Sequence, residues 1–228
     1  MDSLCLKDGR IIKNPKRITM ECQCFYQELY TAQAHTPMVI QATQEILKDC
    51  NSHLQATTAL LLDECLSEQE IKMGLKQTPA WKAPRPDGLP GAFYKKFAHL
   101  LMPMLCRLFN KIFLCGYIPR SFQETIIILL YKKGNCCMLS NWRPISLLNV
   151  DGKIFTNILN AHIQSTLPEI IHPDQKGFVK GRSIMEHVYT MESYIDTANT
   201  FKSPLIITFL DQAKAYDRVE WPYLMETL

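Results

Sequence analysis

The sequence predicts an α+β chain. Apolar residues recur at helical spacing through much of residues 18–76, 92–115, 151–167 and 183–200, and three strand-length runs rich in aliphatic residues lie at 126–130, 144–148 and 205–210. Composition agrees with a folded chain: of 228 residues, 47% are hydrophobic and 21% charged, which suits a packed core and excludes a disordered tail.

The elements follow in order. Met38-Val39-Ile40 with Ile46, Leu47 and Leu54 has helical spacing, and Ser67-x-x-Glu70 ahead of Ile71 and Leu75 is a capping box. The passage Pro79 to Gly91 carries four prolines and two glycines, which forbid a regular element and make it a linker or a working loop. An apolar helix is expected from Ala92 to Cys115, broken near Pro103 and stopped at Gly116. Ile126–Leu130 and Pro144–Leu148 read as a hairpin whose connection carries Lys132 and Lys133. Asp151 is the expected N-cap of a helix to about Leu167, ended by Pro168 and Pro173. Ser183-x-x-Glu186 opens a further helix to about Thr200, with Val188, Met191, Tyr194 and Ile195 on its apolar stripe. Leu205 to Leu210 is a continuous apolar run, the pattern of a strand buried on both faces.

The net charge of +3 conceals a sign pattern. Residues 1–17 carry +3, 18–80 carry −5, 81–182 carry +9 and 183–228 carry −4. A basic block between acidic ones suits a polyanion partner, and a solvated basic face accounts for it equally well. Nine cysteines, with no C-x-x-C pair and no suitably spaced histidine, read as reduced thiols rather than a disulfide framework or zinc site. The run Ile126–Tyr131 is too short to span a bilayer and the first ten residues lack a secretory apolar core, so the expectation is an intracellular chain, cytoplasmic and/or nuclear, with no membrane partner.

Asp211 is the most informative residue, because it follows the apolar run where a sheet delivers side chains to a site. Alone, an aspartate there reads as the cap of the next turn. Its surroundings say more: Asp211-Gln212-Ala213-Lys214-Ala215-Tyr216-Asp217-Arg218-Val219-Glu220-Trp221 resembles the first palm motif of reverse transcriptases. Other blocks agree in order. Ala83-Pro84-Arg85-Pro86-Asp87-Gly88-Leu89-Pro90 with Phe93-Tyr94, then Ser121-Phe122 through Leu130-Tyr131-Lys132-Lys133-Gly134 and Asn141-Trp142-Arg143-Pro144, then Asp174-Gln175-Lys176-Gly177-Phe178 to Arg182, are similar to the corresponding blocks of non-LTR (LINE-type) retrotransposon reverse transcriptases. Phe25-Tyr26 and Leu29-Tyr30-Thr31 fit the linker ahead of that domain.

The resemblance implies a reading for the whole chain. Residues 1–80 would be a helical linker or N-terminal extension, and 81–228 the fingers and first palm strand of a truncated domain. The family's activity is RNA-directed DNA synthesis on an RNA template with a DNA primer and dNTPs. It uses Mg²⁺, or Mn²⁺ in its place, to stabilise the attacking hydroxyl and the leaving pyrophosphate, and this metal is expected only in the complete domain. Asp211 would be the catalytic metal ligand and the Gln212 carbonyl a second donor. Lys132, Arg143 and Lys133 would bind the triphosphate, lysine as a point charge and arginine through its fork. Tyr216 would be the bulky gate against a ribose 2′-hydroxyl. Gln175, Gly177, Phe178, Gly181 and Arg182 would help hold template or primer.

Bland readings stand beside these: a soluble basic hairpin tip, a surface Arg143, a Tyr216 in a core, a turn with a basic rim around 175–182. Departures from the family pattern are Arg85 for glycine, His162 for arginine and Ala213 for glutamate, and no Phe- or Tyr-x-Asp-Asp occurs. The chain alone is therefore expected to be inactive. Its rivals are a nonenzymatic nucleic-acid-binding module and the inert product of a degenerate element.

Overall fold

A computed structural model describes residues 2–31, 36–48, 52–82, 86–212 and 214–227; Arg85 and Ala213 lie outside the described residues. The chain forms two compact units interleaved in sequence: Ser52–Leu130 with Arg143–Ile184, and Met1–Asn51 with Tyr131–Trp142 and Met185–Leu228. Helices and two small sheets make it α+β.

The larger unit contains α3 (Ala56–Leu62), α4 (Glu68–Gln77), α5 (Gly91–Lys96), α6 (Ala98–Cys115), α7 (Arg120–Gln123) and α8 (Val150–Ile170). Its core joins Ile71 and Leu75 of α4, Met102, Leu105, Phe109 and Ile112 of α6, and Ile154, Phe155 and Ile158 of α8. The 102, 105, 109, 112 spacing puts four side chains on one face of α6, and Phe109 meets Phe155 with ring centroids 5.3 Å apart. Gly74 lets α4 approach α8: a Cβ there would stand 2.6 Å from Cγ1 of Ile158. The expected capping box forms in full, with Ser67 and Glu70 each accepting the other's backbone N–H. Asn110 closes the loop before it, accepting from Leu66 N and donating to Leu66 O.

Three helix boundaries differ from expectation. The apolar stretch breaks at Phe97 (φ −101°, ψ 20°), while Pro103 sits inside α6. Pro103 removes only a bond to the carbonyl of His99, and both residues are exposed, so the loss falls on the solvent side of the helix. Asn149, not Asp151, is the N-cap of α8, and Asp151 lies in the first turn, accepting from Gly152 N. Pro168 falls in the last turn and α8 continues to Ile170. Gly116 does end α6 in the left-handed conformation, at φ 65°. At 18 residues and a mean hydropathy of 1.3, α6 is also long and apolar enough to cross a membrane by length and composition, which the short apolar run at 126–131 did not foreshadow. Its buried face serves the core just described.

β3 (Ile126–Tyr131) and β4 (Trp142–Leu147) pair as a two-stranded sheet, as the hairpin reading expects.

The smaller unit begins with β1 (Leu4–Cys5) antiparallel to β2 (Ile11–Ile12), followed by α1 (Pro15–Tyr30) and α2 (Pro37–Lys48). Asn14 caps α1, its Oδ1 accepting from the amides of Lys16 and Arg17 ahead of which Pro15 occupies the first helical position. The 131–142 tip, α9 (Met185–Phe201) and α10 (Trp221–Thr227) belong here too. The expected stripe of α9 has Val188 and Met191 half-buried, with Tyr194 and Ile195 exposed.

The largest correction concerns residues 205–210. They form no strand, and Ile206, Phe209 and Leu210 are 90%, 81% and 92% exposed. A strand apolar on both faces needs neighbours in its sheet and cover on each face. Among the described residues no strand pairs with this run.

Two predictions follow from the larger unit. A Cβ on Gly91 would stand 2.2 Å from the Pro79 carbonyl oxygen, at the place where Ala92 N bonds Ala80 O. Gly91→Ala is therefore expected to lower stability by about 1–3 kcal/mol, read as a fall in the urea midpoint, with Gly177→Ala as a near-neutral control because its nearest neighbour is 3.7 Å away. Glu70 is pushed up by burial but pulled further down by the Ser67 hydroxyl and amide and by His162, so its carboxyl lies below the usual 4.5. A depressed carboxylate stabilises the fold above its unfolded pKa, and this is lost as pH falls through the folded value. Stability should thus decline on acidification below about pH 5, with a shallower decline in Glu70→Gln, as urea unfolding across pH will show.

Candidate functional site

In the larger unit the turn after Pro86 is tied to the start of α8. Asn149 accepts from Asp87 N (3.3 Å) and donates to Ser121 O (3.0 Å), so one buried amide joins the 87–91 turn to α7. This occupation explains why Asn149 caps α8 without a side-chain bond to its amides. Asp87 folds its own turn by accepting from Leu89 N, and Gly88 supplies the φ of 72°. Tyr94 is buried here; desolvation, then the carboxylates of Asp151 and Asp87, push its phenol far up. Burial likewise raises Asp151, with Asp87 adding to it.

The loop carrying Gln175, Gly177, Phe178, Gly181 and Arg182 is built around Arg182 and Gln164. The Arg182 guanidinium donates to His172 O at 2.6 Å, Gln175 O at 2.9 Å and Ile171 O at 2.9 Å. The fork is directed at backbone carbonyls of its own loop. Gln175 donates from Nε2 to Gly177 O, and Gly181 takes φ 85°. Phe178 has φ 63°, rare for a residue with a Cβ, and its side chain is 83% exposed. Gln164 of α8 holds that conformation: Nε2 donates to Phe178 O and Oε1 accepts from Lys180 N. The loop thus displays an aromatic ring on a fixed backbone, the geometry a base-stacking platform requires. Gln164 was not marked by the sequence, since one glutamine on a helix carries no motif. Arg143 is exposed on β4.

In the smaller unit Lys132 and Lys133 are exposed at the 131–142 tip. The tip is closed by its own hydrogen bonds. Lys132 N donates to Asn141 O, the Tyr131 hydroxyl to Gly134 O and Trp142 Nε1 to Cys136 O, while the Tyr131 and Trp142 rings lie 5.5 Å apart. Gly134 takes φ 90° against the Asn141 amide. Residues near the N-terminus join this tip, with Cys5 N donating to Cys137 O at 2.7 Å.

Asp211 and Gln212 are exposed and follow the unpaired 205–210 run. A 3₁₀ turn, Tyr216–Arg218, comes next, with Tyr216 80% exposed. Asp217 accepts from the Tyr30 hydroxyl at 3.1 Å. The two units therefore divide the expected site residues: Lys132, Lys133, Asp211, Gln212 and Tyr216 in one, Arg143 and the 175–182 set in the other. A cavity of about 440 Å³ between α3, α4 and α8 is lined by none of them; Glu70, paired with His162, forms part of its wall.

The donor set does not make a two-metal site. Among the described residues no group of three or more histidine, cysteine, aspartate or glutamate side chains is placed to hold an ion. Asp211 with the Gln212 carbonyl offers one carboxylate, and the nearby Asp217 is engaged by Tyr30. Two divalent cations need more carboxylate oxygens than this.

Comparison with known proteins agrees with the reading of the motifs. Residues 130–228 match the family model described as reverse transcriptase (RNA-dependent DNA polymerase). The chain is 32% identical over 225 residues, 99% of its length and 17% of the relative's, to the transposon TX1 uncharacterized 149 kDa protein of Xenopus laevis. It is 25% identical over 215 residues to the probable RNA-directed DNA polymerase from transposon BS of Drosophila melanogaster, covering 92% of this chain and 23% of that one. To the RNA-directed DNA polymerase from mobile element jockey of the same fly it is 24% identical over 188 residues, 81% of this chain and 20% of the other. The chain belongs to the reverse transcriptase family, on the non-LTR retrotransposon side that its motifs resemble. It spans about a fifth of the length of these curated relatives.

Two hydrogen bonds to Gln164 hold the backbone at Phe178 and Lys180. Gln164→Ala should raise amide exchange at Lys180 by about tenfold and leave exchange in the middle of α8 unchanged, measured by hydrogen–deuterium exchange.

Proposed function

We propose that the chain supplies the fingers and first palm motif of an RNA-directed DNA polymerase of a LINE-type element. Residues 1–80 act as its N-terminal extension, whose helix α4 packs into the core of the larger unit, and 81–228 as the N-terminal part of the polymerase domain. In this reading Lys132, Lys133 and Arg143 bind the triphosphate of a dNTP, Tyr216 excludes the ribose hydroxyl, and Gln175, Gly177, Phe178 and Gly181 face template and primer. Arg182 serves by holding their loop. The work takes place inside the cell, in cytoplasm and/or nucleus. Asp211 and the Gln212 carbonyl contribute to Mg²⁺ binding only when further carboxylates join them, so the chain by itself does not polymerise.

One observation supports the reading above others: the exposed Lys132–Lys133 tip and the Asp211–Arg218 segment belong to the same compact unit, and both fall within the matched residues 130–228. Their residue types are those that phosphate binding and metal ligation require.

The test uses the purified chain with an RNA template annealed to a DNA primer. Binding should weaken with salt, and replacing Lys132, Lys133 and Arg143 together by alanine should lower photolabelling by 4-thio-dUTP by about tenfold. Asp211→Asn should leave the salt dependence of template and primer binding unchanged. No primer extension is expected; extension that Asp211→Asn abolishes would overturn the proposed dependence on further carboxylates. Labelling unaffected by the triple substitution would remove Lys132, Lys133 and Arg143 from the nucleotide site.

A further inference from the structure

We infer that helix α1 positions the turn carrying Asp211 and Tyr216, with Phe25, Tyr26 and Tyr30 as positioning residues for the nucleotide gate. The inference rests on Tyr216 being that gate. It concerns a helix to which the motifs give no chemistry, and it stands on contacts within the smaller unit alone.

The first contact is a cation held on aromatic faces. Lys214 lies three residues after Asp211 and adopts φ 54°, a left-handed conformation that a lysine takes only when its surroundings require it. Its Nζ sits 4.6 Å from the ring centroid of Phe25 and 5.3 Å from that of Tyr26. The ammonium is out of contact with water and has no hydrogen-bond acceptor among the described residues. The ring faces supply the compensating negative potential. Burial accordingly lowers the Lys214 pKa, with Asp217 opposing the shift.

The second contact lies three residues on. Tyr30, one helical turn beyond Tyr26, donates its hydroxyl to Asp217 Oδ1 at 3.1 Å. Tyr26 and Tyr30 stack with centroids 6.1 Å apart, and Phe25 meets Tyr26 edge-on at 5.2 Å. Lys214 and Asp217 are therefore gripped by one aromatic face, and Tyr216 stands between the two grips.

Any apolar side chain at position 214 would fill the same space. A cation centred over two rings and a phenol bonded to a carboxylate are more directional, and they fix where the turn sits along the helix. A gate discriminates by a clash of about one hydroxyl group, so its backbone needs to be held to a fraction of that size. Losing one grip should relax the discrimination against ribose before it weakens triphosphate binding, because the phosphate ligands Lys132 and Lys133 are on a different segment.

The experiment has two readouts on the purified 228-residue chain. Reductive dimethylation, quantified for each lysine by mass spectrometry, reports the first grip. Lys214 should react at least roughly fivefold more slowly than exposed Lys202, and the Phe25→Leu/Tyr26→Leu variant, which keeps apolar side chains but removes the π faces, should bring it close to the Lys202 rate. Photolabelling with 4-thio-dUTP and 4-thio-UTP reports the gate. Wild type should favour the deoxynucleotide by about fivefold. Tyr30→Phe, which retains the ring and loses only the bond to Asp217, should bring the ratio toward one with total labelling and thermal midpoint little changed. Lys132→Ala should lower both labels together.

If Lys214 in wild type reacts as fast as Lys202, the grip is absent and the inference fails. If Lys214 is protected but Tyr30→Phe keeps the deoxynucleotide preference, α1 packs on the turn without positioning the gate, and the inference fails while nucleotide binding stands. If neither nucleotide labels wild type, the reading of the site as nucleotide-binding falls and takes the inference with it.

Discussion

The packing of α8 against α4 is the contact on which the larger unit depends. Gly74 brings the two helices close enough for Ile158 to lie against its Cα, and Ile71, Ile154 and Ile158 lose nearly all their exposure in consequence. With its middle fixed in this way, α8 works at both ends as a mount. At its N-terminus Asn149 joins the 87–91 turn to α7. Further along, Gln164 fixes the backbone of Phe178 and Lys180. Both segments carry family blocks, and both take their position from amide side chains at one helix, Asn149 at its cap and Gln164 along it.

The smaller unit is held differently. Its buried apolar residues are few and drawn from distant parts of the sequence: Leu4, Ile12, Ile18, Tyr26 and Leu139. Specific polar and aromatic contacts supplement them, among them Cys5 to Cys137, Tyr30 to Asp217 and Lys214 over Phe25 and Tyr26. Directional contacts contribute less free energy each than apolar burial but fix geometry more tightly.

Where local physics decides, the sequence was legible. The capping box at Ser67 and Glu70 and the stop at Gly116 depend on neighbouring residues, and both occur as written. The α8 boundary was misread because Asp151 satisfies the local rule for a cap, while Asn149 is selected by distant partners, Asp87 and Ser121. Pro103 likewise obeys the rule for a break, but its position on the exposed side of α6 lets the helix run through it. For the 205–210 run, apolarity marked a need for burial, but which strands meet that need is set by pairing the run's own residues do not encode. The site residues were found through motif order. Gln164 and the aromatic face of α1 were not, because supporting residues act through three-dimensional contacts and leave no spacing pattern behind.

The exposed run from Leu205 to Leu210 has a colloidal consequence. A six-residue stretch with no charge, no proline and four aliphatic residues alongside Phe209 is a template for intermolecular strand addition whenever its backbone is unpaired. Its charged flanks, Lys202 before it and Asp211 after it, carry opposite signs. Two antiparallel copies would set each lysine near the other's aspartate, so the flanking charges favour pairing where like charges would resist it. The state of these residues is then governed by protein concentration as much as by temperature.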